Sequence, residues 1–571
     1  MTNFHENANF IWQVADDILR GSFKAHEYGD VILPFVVLRR LDCVLEPKKD
    51  EVYTTYNKFN NKLDEDKLKP VLIKTSGLNF YNISKFDLRR LAQDSKNIEQ
   101  NIWNYLNNFS KNVRDILDNF QIDKTIQKLQ KNNLLFMLID KFTEIDLHPN
   151  KVSNHQMGYI FEELIRRFNE QSNETAGEHF TPREVIMLMA NILISEDVEE
   201  LKTKGIIKSI FDCCAGTSGM LHITKEHILT NINPNAEINT FGQEINPQSY
   251  AIAKSDALIL GEKAENIRFG NSLSEDRFIG DTFNYMLTNP PFGVSWKKEK
   301  DFITSESNNP NGRFTAGLPR INDGSLLFLM HLISKMDKKG SRIAIVFNGS
   351  PLFTGDAGSG ESDIRKWIIE SDMLEAVVAL PEQLFYNTGI FTYFWIVTNN
   401  KHAKRKGKVQ LINAVSFFEK MRKSLGNKRN YITDEQITNI AKIYSNFKKS
   451  EYCKIFNNED FGYTKVTVER PLKDEKGKII KDNNGNPKPD SKLRDYENIP
   501  LKQDIDEYFK REVLPHVPDA WMDRSKDKVG YEINFTQYFY KYEKLRSLEE
   551  IDRDIMQIEE ETEGLLKEIM S

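Results

Sequence analysis

Four cysteines stand in 571 residues. Cys43, Cys213, Cys214 and Cys453 are too few and too irregularly spaced for a disulfide framework or a paired zinc site, and they suit a reducing compartment. Long apolar runs are equally scarce. Stretches such as Val31 to Leu38 and Arg342 to Phe347 stop far short of the roughly eighteen residues that a membrane span needs, so no membrane role is expected. Met1 to Phe10 lacks a basic segment followed by an apolar core; nothing directs export, and a cytoplasmic location is expected. An excess of positive charge is missing too. A protein that grips DNA unaided is basic, whereas this chain carries a formal net charge of −6. Either it does not bind nucleic acid or a partner supplies much of the grip.

The length supports about three or four domains, and 39% apolar with 28% charged residues belongs to a folded globular protein. Helical periods (Ile11, Val14, Ile18; Val31, Leu38, Leu41; Ile116, Leu117, Phe120) with little alternation make residues 1–150 a helical domain. A further helix runs over Met157 to Phe168, and another is expected to start near Pro182 with Thr181 as its N-cap. From about Ile206 short apolar runs alternate with helix-length segments: Ser209 to Asp212, Ile238 to Gln243, Tyr285 to Thr288, Arg342 to Phe347, Glu375 to Leu380, Phe391 to Thr398 and Val409 to Asn413. That pattern predicts an α/β domain over 151–450 with a mostly parallel, doubly wound sheet. The close spacing of the last two or three runs points to an antiparallel edge hairpin. Residues 451–535 read as an insertion or linker, with Lys473 to Asp490 exposed.

Two charged features have two readings each. Between Lys401 and Asn430 the positives Lys401, Lys404, Arg405, Lys406, Lys408, Lys420, Arg422, Lys423, Lys428 and Arg429 face Glu419 alone, which is either a solvated face or a phosphate-contacting strip. In residues 536–571, Leu548, Ile551, Ile555, Ile558, Thr562, Leu565 and Ile569 follow a heptad spacing. That spacing fits a coiled-coil seam for a partner helix or a helix folded back on its own domain.

The chemistry gathers at the carboxyl ends of the expected strands. Phe211-Asp-Cys-Cys-Ala-Gly-Thr-Ser-Gly-Met220 is a strand-to-helix turn in which Gly216 and Gly219 let a ligand approach the backbone; taken alone it also fits mere helix–sheet packing. Phe241-Gly-Gln-Glu-Ile-Asn-Pro247 places Glu244 at the next strand tip, where an acid can accept hydrogen bonds from a ribose diol. The sharpest motif is Leu287-Thr-Asn-Pro-Pro-Phe-Gly293. An amine on an aromatic ring is a poor nucleophile because its lone pair is delocalised. The Asn289 oxygen and the Pro290 carbonyl can accept its two N–H groups and favour a pyramidal nitrogen, Pro290 and Pro291 stiffen the backbone, and Phe292 can stack on a base rotated out of a duplex. An ordinary Pro-Pro turn with a core Phe is the plain alternative.

Asp212 to Gly219, Gln243 to Pro247 and Asn289 to Phe292, preceded by Gly177-Glu-His-Phe-Thr-Pro-Arg183, resemble the S-adenosylmethionine-dependent DNA adenine-N6 methyltransferases. Within them the chain is similar to the modification subunit of type I restriction-modification systems. The likeness extends from Ile11–Leu45 through Met157–Ile186 and Leu384-Phe-Tyr-Asn-Thr-Gly389 to Val529–Phe535. It implies a Rossmann-like catalytic domain, a helical amino-terminal domain and a carboxyl-terminal helix for assembly. S-adenosyl-L-methionine would be the cofactor. Glu178, His179, Phe180, Thr181, Pro182 and Arg183 would line it, Gly216, Thr217, Ser218 and Gly219 would meet its methionine part, and Asp212 would favour its ammonium group. Glu244 would take its ribose, with Asn271 near its adenine. Asn289, Pro290, Pro291 and Phe292 would hold the target adenine.

The resemblance also implies double-stranded DNA as substrate and a separate specificity subunit, met through the carboxyl-terminal helix and shared by two copies of this chain. A restriction (nuclease/translocase) subunit would join the larger complex, and no metal is expected. The sequence departs from the family at Cys213, where Pro is usual, at Ser218, where Gly is usual, and at Asn271, where an Asp is common. Rival readings are amino-methylation of RNA guanine or protein glutamine, and a catalytically silent scaffold that binds the cofactor.

Overall fold

The computed structural model describes residues 3–172, 181–386, 388–482, 484–540, 547–548, 550–558 and 562. The expected site residues Glu178, His179 and Phe180, and the seam positions Leu565 and Ile569, lie outside the described residues.

The amino-terminal region is helical, as its periodicity requires. At its centre stands α1 (Tyr28–Leu45), buried on nearly every side, which is how a helix apolar all round must be used. Two of its buried residues are arginines, and their guanidinium groups serve as internal caps. Arg39 Nε donates to the Ile145 carbonyl at 2.8 Å, while Arg40 donates to the Val152 carbonyl at 2.7 Å and to Asn154 Oδ1 at 2.6 Å. These bonds pin the entry to α2 (Asn154–Ser172), which ends one wall of the site. One continuous apolar core runs from Ile11 in the helical region to Tyr444 beyond the sheet.

The central sheet has nine strands in the order β11-β8-β6-β7-β5-β4-β1-β2-β3. They are β1 (Ile207–Asp212), β2 (Glu237–Glu244), β3 (Ile267–Phe269), β4 (Tyr285–Thr288), β5 (Arg342–Asn348), β6 (Leu374–Ala379), β7 (Thr392–Thr398), β8 (Lys408–Asn413) and β11 (Cys453–Asn457). β1 to β5 are mutually parallel, and β6 is parallel to β8. The expected antiparallel hairpin is formed by the consecutive strands β6 and β7, but inside the sheet and not at its edge. β7 reverses direction and inserts in the middle of the sheet, antiparallel to both β5 and β6, and its aromatic and aliphatic run Tyr393 to Val397 is covered on both faces there. The true antiparallel edge is β11 on β8. Between β8 and β11 the chain forms a separate hairpin, β9 (Glu419–Leu425) with β10 (Lys428–Tyr431), and then a helix.

Beyond β11, β12 (Gly462–Glu469) pairs with β13 (Asp495–Pro500) and β14 (Trp521–Tyr531) in a three-stranded antiparallel sheet. The Lys473 to Asp490 stretch is mostly exposed, as expected, and holds only isolated bridges such as Lys473 to Ile479. Residues 534–571 form a second unit. In it Phe535–Phe539 is a short helix and residues 550–558 are helical. Leu548, Ile551, Ile555 and Ile558 are exposed by 76%, 39%, 56% and 63%, so the described part of the seam is uncovered.

Candidate active site

The parallel arrangement puts the carboxyl ends of β1, β2 and β4 side by side, which is where open α/β sheets bind ligands. From β1 the chain turns sharply: Asp212 Oδ1 accepts from the Cys214 N–H at 2.9 Å and from the Thr288 hydroxyl of β4 at 2.7 Å. Gly216 (φ +51°) and Ser218 (φ +67°) both adopt the left-handed conformation before α3 (Gly219–Asn231). The Gly usual at 218 fits that backbone without cost; serine bears a penalty of roughly 1–2 kcal/mol for it. Cys213 is buried and Cys214 half-buried, and burial and the neighbouring Cys213 raise the Cys214 thiol well above its ordinary value. Both therefore act as packed small residues.

At the tip of β2 the Glu244 carboxylate accepts the backbone N–H groups of Gly216 and Asn246, each at 2.7 Å, and burial raises its pKa. The next residue, Ile245, is 59% exposed, an apolar platform at the strand tip. Asn271 closes an Asx turn with the Leu273 N–H at 2.9 Å and donates to Glu299 at 3.0 Å.

A cavity of about 260 Å³ joins these groups: Gly216, Glu244, Ile245, Asn271, Asn289 and Pro291 are among its walls. A smaller one of about 50 Å³ shares Cys214, Gly216 and Asn289 with it and is also walled by Glu162, Thr181, Asp212, Thr217 and Gly219. Most of the expected cofactor residues thus meet in one continuous depression.

Thr181 has a different job from the one expected. Pro182 (ψ 140°) occupies the N-cap position of α4 (Arg183–Ile194), with no side-chain cap. The Thr181 hydroxyl is thereby released to accept from Asn289 Nδ2 at 2.9 Å, which fixes the plane of the Asn289 carboxamide. Pro290 is buried and Pro291 and Phe292 are half-buried. The Phe292 ring stands edge-on to Phe385, centroids 6.5 Å apart at 71°.

Five expected residues are not among the walls of the depression: Pro290 and Phe292 of the Asn-Pro-Pro-Phe turn, and Pro182, Arg183 and Ser218. Arg183 turns away: its guanidinium lies over the Tyr159 ring at 4.0 Å and 3.6 Å from Glu162, in a space that a Cβ on Gly158 would fill. Pro182 is a helix start, and Ser218 is fully buried behind the turn.

Glu162, Ile245 and Phe385 were not identified from sequence. Glu162 sits on α2, 8% exposed; burial raises its carboxyl to about 7. Asp212, 2% exposed, is likewise raised by burial to about 7.

The donor set suits an adenosyl amino acid. Among the described residues Glu162 Oε2, on the wall of the small cavity, is buried without a hydrogen-bond partner. Two buried carboxyls flank the small cavity, and an acid beside an apolar platform marks the larger one. A cationic ammonium fits the first and a nucleoside the second.

Residues 152–475 match the family described as N-6 DNA Methylase, and residues 7–142 match the HsdM N-terminal domain. The chain is 27% identical over 485 residues to the type I restriction enzyme MjaIX methylase subunit of Methanocaldococcus jannaschii, which covers 81% of each protein. It is 27% identical over 361 residues to the MjaVII methylase subunit of the same organism, 62% of this chain and 58% of that one. A crystal structure of the type I restriction-modification system methyltransferase subunit from Streptococcus thermophilus shares the fold, with a TM-score of 0.61 at 20% identity, over 80% of this chain and 97% of that one.

Proposed function

Because this chain belongs to the N-6 DNA methylase family, we propose that it transfers a methyl group from S-adenosyl-L-methionine to N6 of adenine in DNA, as the modification subunit of a type I restriction-modification complex. The observation that carries the reading is the junction of Asn289 with both cavities: the Asn-Pro-Pro-Phe turn begins at the wall they share, and Thr181 holds its amide in one plane.

When bound, the cofactor supplies a methyl group on a sulfonium, a good leaving group. Glu244 would accept from its ribose hydroxyls, Ile245 would offer an apolar surface to its purine, and Asp212 and Glu162 would hold its ammonium. Asn289 Nδ2 is committed to Thr181, so the carboxamide presents its oxygen to one N–H of the target amine while the Pro290 carbonyl takes the other, aiming the lone pair at the methyl carbon. Phe292 stacks on the flipped adenine, with Phe385 bracing its ring. No side chain is required to act as a strong base, since the methylated amine loses its proton readily to water.

The acidic chain and its uncovered seam support a partner that reads the sequence. In this reading the carboxyl-terminal helix docks on a specificity subunit, two copies of this chain share one such subunit, and a restriction subunit completes the complex in the cytoplasm. The test mixes the chain, alone and with its neighbour-encoded partner, with DNA and labelled cofactor, and identifies the modified base after digestion. N6-methyladenine is expected. Label on cytosine, or none with any partner, would overturn the proposal.

A further inference from the structure

The structure sorts the cationic strip between Lys401 and Asn430 by its surroundings. Lys404, Lys406 and Lys408 lie at or before the start of β8, Lys404 beside Glu196 at 3.3 Å, and three further members are structural. Lys401 Nζ pairs with Asp372 at 2.6 Å, Arg405 pairs with Glu196 at 2.9 Å and lies 4.0 Å over the Tyr444 ring, and Lys428 pairs with Glu184 while donating to the Leu384 carbonyl at 3.0 Å. Four others, Lys420, Arg422, Lys423 and Arg429, stand exposed on the β9–β10 hairpin, and none has an ion-pair partner among the described residues. The one acid in the hairpin, Glu419, is occupied by the Tyr431 hydroxyl at 2.7 Å. A concentrated, unneutralised charge on a molecule of net charge −6 needs an explanation that protein stability does not supply.

The hairpin's position supplies one. It belongs to neither large sheet, yet it is fastened to the loop that leaves β6: the Asn427 N–H donates to the Tyr386 carbonyl at 2.8 Å, the Arg429 N–H to the Gln383 carbonyl at 2.9 Å, and Asn430 Nδ2 to the Glu382 carbonyl at 2.9 Å. That loop carries Phe385, which braces Phe292. β6 runs in the same sense as β4, since β4 is parallel to β5 and both β5 and β6 are antiparallel to β7, so the hairpin is fastened at the same, carboxyl end of the parallel strands as the Asn-Pro-Pro-Phe turn. Its alternation turns Met421 and Leu425 toward the protein, where they wall a cavity beside α2 and α4, while Lys420 and Arg422 fall on the opposite face and Lys423, between Met421 and Leu425, is nevertheless exposed.

We infer that the β9–β10 hairpin is a phosphate-binding arm, which holds the DNA backbone beside the target adenine through Lys420, Arg422, Lys423 and Arg429. The inference rests on the methyltransferase reading above. It gives the catalytic subunit its own sequence-independent hold on the duplex, and it couples that hold to the adenine pocket through the three hydrogen bonds to the loop and one aromatic contact. Phosphate contacts position a duplex without reading it.

The test uses the complex assembled with its neighbour-encoded partner and a fluorescent cognate duplex, titrated over about 50–200 mM salt. Each phosphate contact contributes about −0.9 to the slope of log K against log salt. Changing all four residues to serine should therefore flatten the slope by about 2–4 and weaken binding about 10- to 100-fold at the low-salt end. Single Arg422→Glu should weaken binding and Arg422→Lys should restore it. Affinity for S-adenosylhomocysteine, read separately, should stay within about twofold and shows that the variants fold. An unchanged slope in the fourfold variant overturns the inference. So does loss of co-purification with the partner subunit, which would make the hairpin a protein interface. A parent complex with no salt-dependent DNA binding would instead defeat the methyltransferase reading.

Discussion

Asp212→Asn separates what this carboxylate costs the fold from what it gives the ligand. Asp212 is 2% exposed, and burial raises its carboxyl from 3.8 to about 7. In the native protein it therefore stays protonated over a range in which the unfolded chain has already released the proton. Stability from this group is fully present below about pH 3.8 and is lost as pH rises to about 7. The loss is at most about 4 kcal/mol, at about 1.4 kcal/mol for each tenfold change in acidity. Asparagine keeps the Oδ1 acceptor for the Cys214 N–H and the Thr288 hydroxyl and never ionises. The ligand-free variant should therefore be more stable than the parent at pH 8, with the gain shrinking toward pH 4. A cationic ammonium beside Asp212 reverses the preference and favours the carboxylate. Binding of S-adenosylmethionine to the parent should release protons below about pH 7, and its affinity should climb between about pH 5.5 and 7 before levelling off. The variant should bind about 10- to 100-fold more weakly at pH 7.5, the worth of a hydrogen bond to a charged group, and with a flatter pH profile. Calorimetry in two buffers of different ionisation enthalpy reads the protons, and urea unfolding reads the stability. Equal affinity across the pH range, or no stability gain at pH 8, refutes the reasoning.

Asn289→Ala removes an acceptor for the target amine, and methyl transfer to DNA should fall by about 10²-fold or more; a fully active variant would remove Asn289 from the grip on that amine, and no transfer from parent or variant would favour the silent scaffold. Thr181→Val frees the Asn289 carboxamide to rotate, so turnover should drop about tenfold, with Thr181→Ser recovering most of it; no difference between Val and Ser contradicts the orienting role. Glu162→Gln should weaken S-adenosylhomocysteine more than 5′-methylthioadenosine, which lacks the amino-acid part, while equal effects on both ligands would make Glu162 merely structural. Ile555→Asp on the exposed seam should reduce capture of the specificity subunit in a pull-down, and undiminished capture removes the seam from the interface.

The reacting loops were legible because each follows an apolar run directly: Asp212, Glu244 and Asn289 stand at strand ends whatever the strand order. The strand order was not legible. β7 reads like its neighbours along the chain, and only pairing with β5 and β6 reveals its reversal. Thr181 looked like a helix cap because Thr-Pro usually is one, but Pro182 itself took the cap position. Glu162 escaped notice because an acid on an amphipathic helix ordinarily faces water, and here the residues of β1 and α3 close over it. The strands β12 to β14 were hidden by a polar composition, although β12 between the other two is largely buried. The basic strip could be counted but not divided, since the acids that neutralise Lys401, Arg405 and Lys428 lie far away in sequence.

The reversed strand also shapes how the chain must be made. β5 is finished at Asn348, but its outer neighbour β7 ends only at Thr398. A ribosome adding about 5–20 residues each second leaves roughly 3–10 s between them. For that interval β5, apolar from Ile343 to Phe347, presents an unpaired margin, and β6, synthesised before β7, cannot close it, because its place is one strand further out. The nascent subunit is most exposed to sticking at that moment, and slowing translation between the two strands should raise its dependence on chaperones.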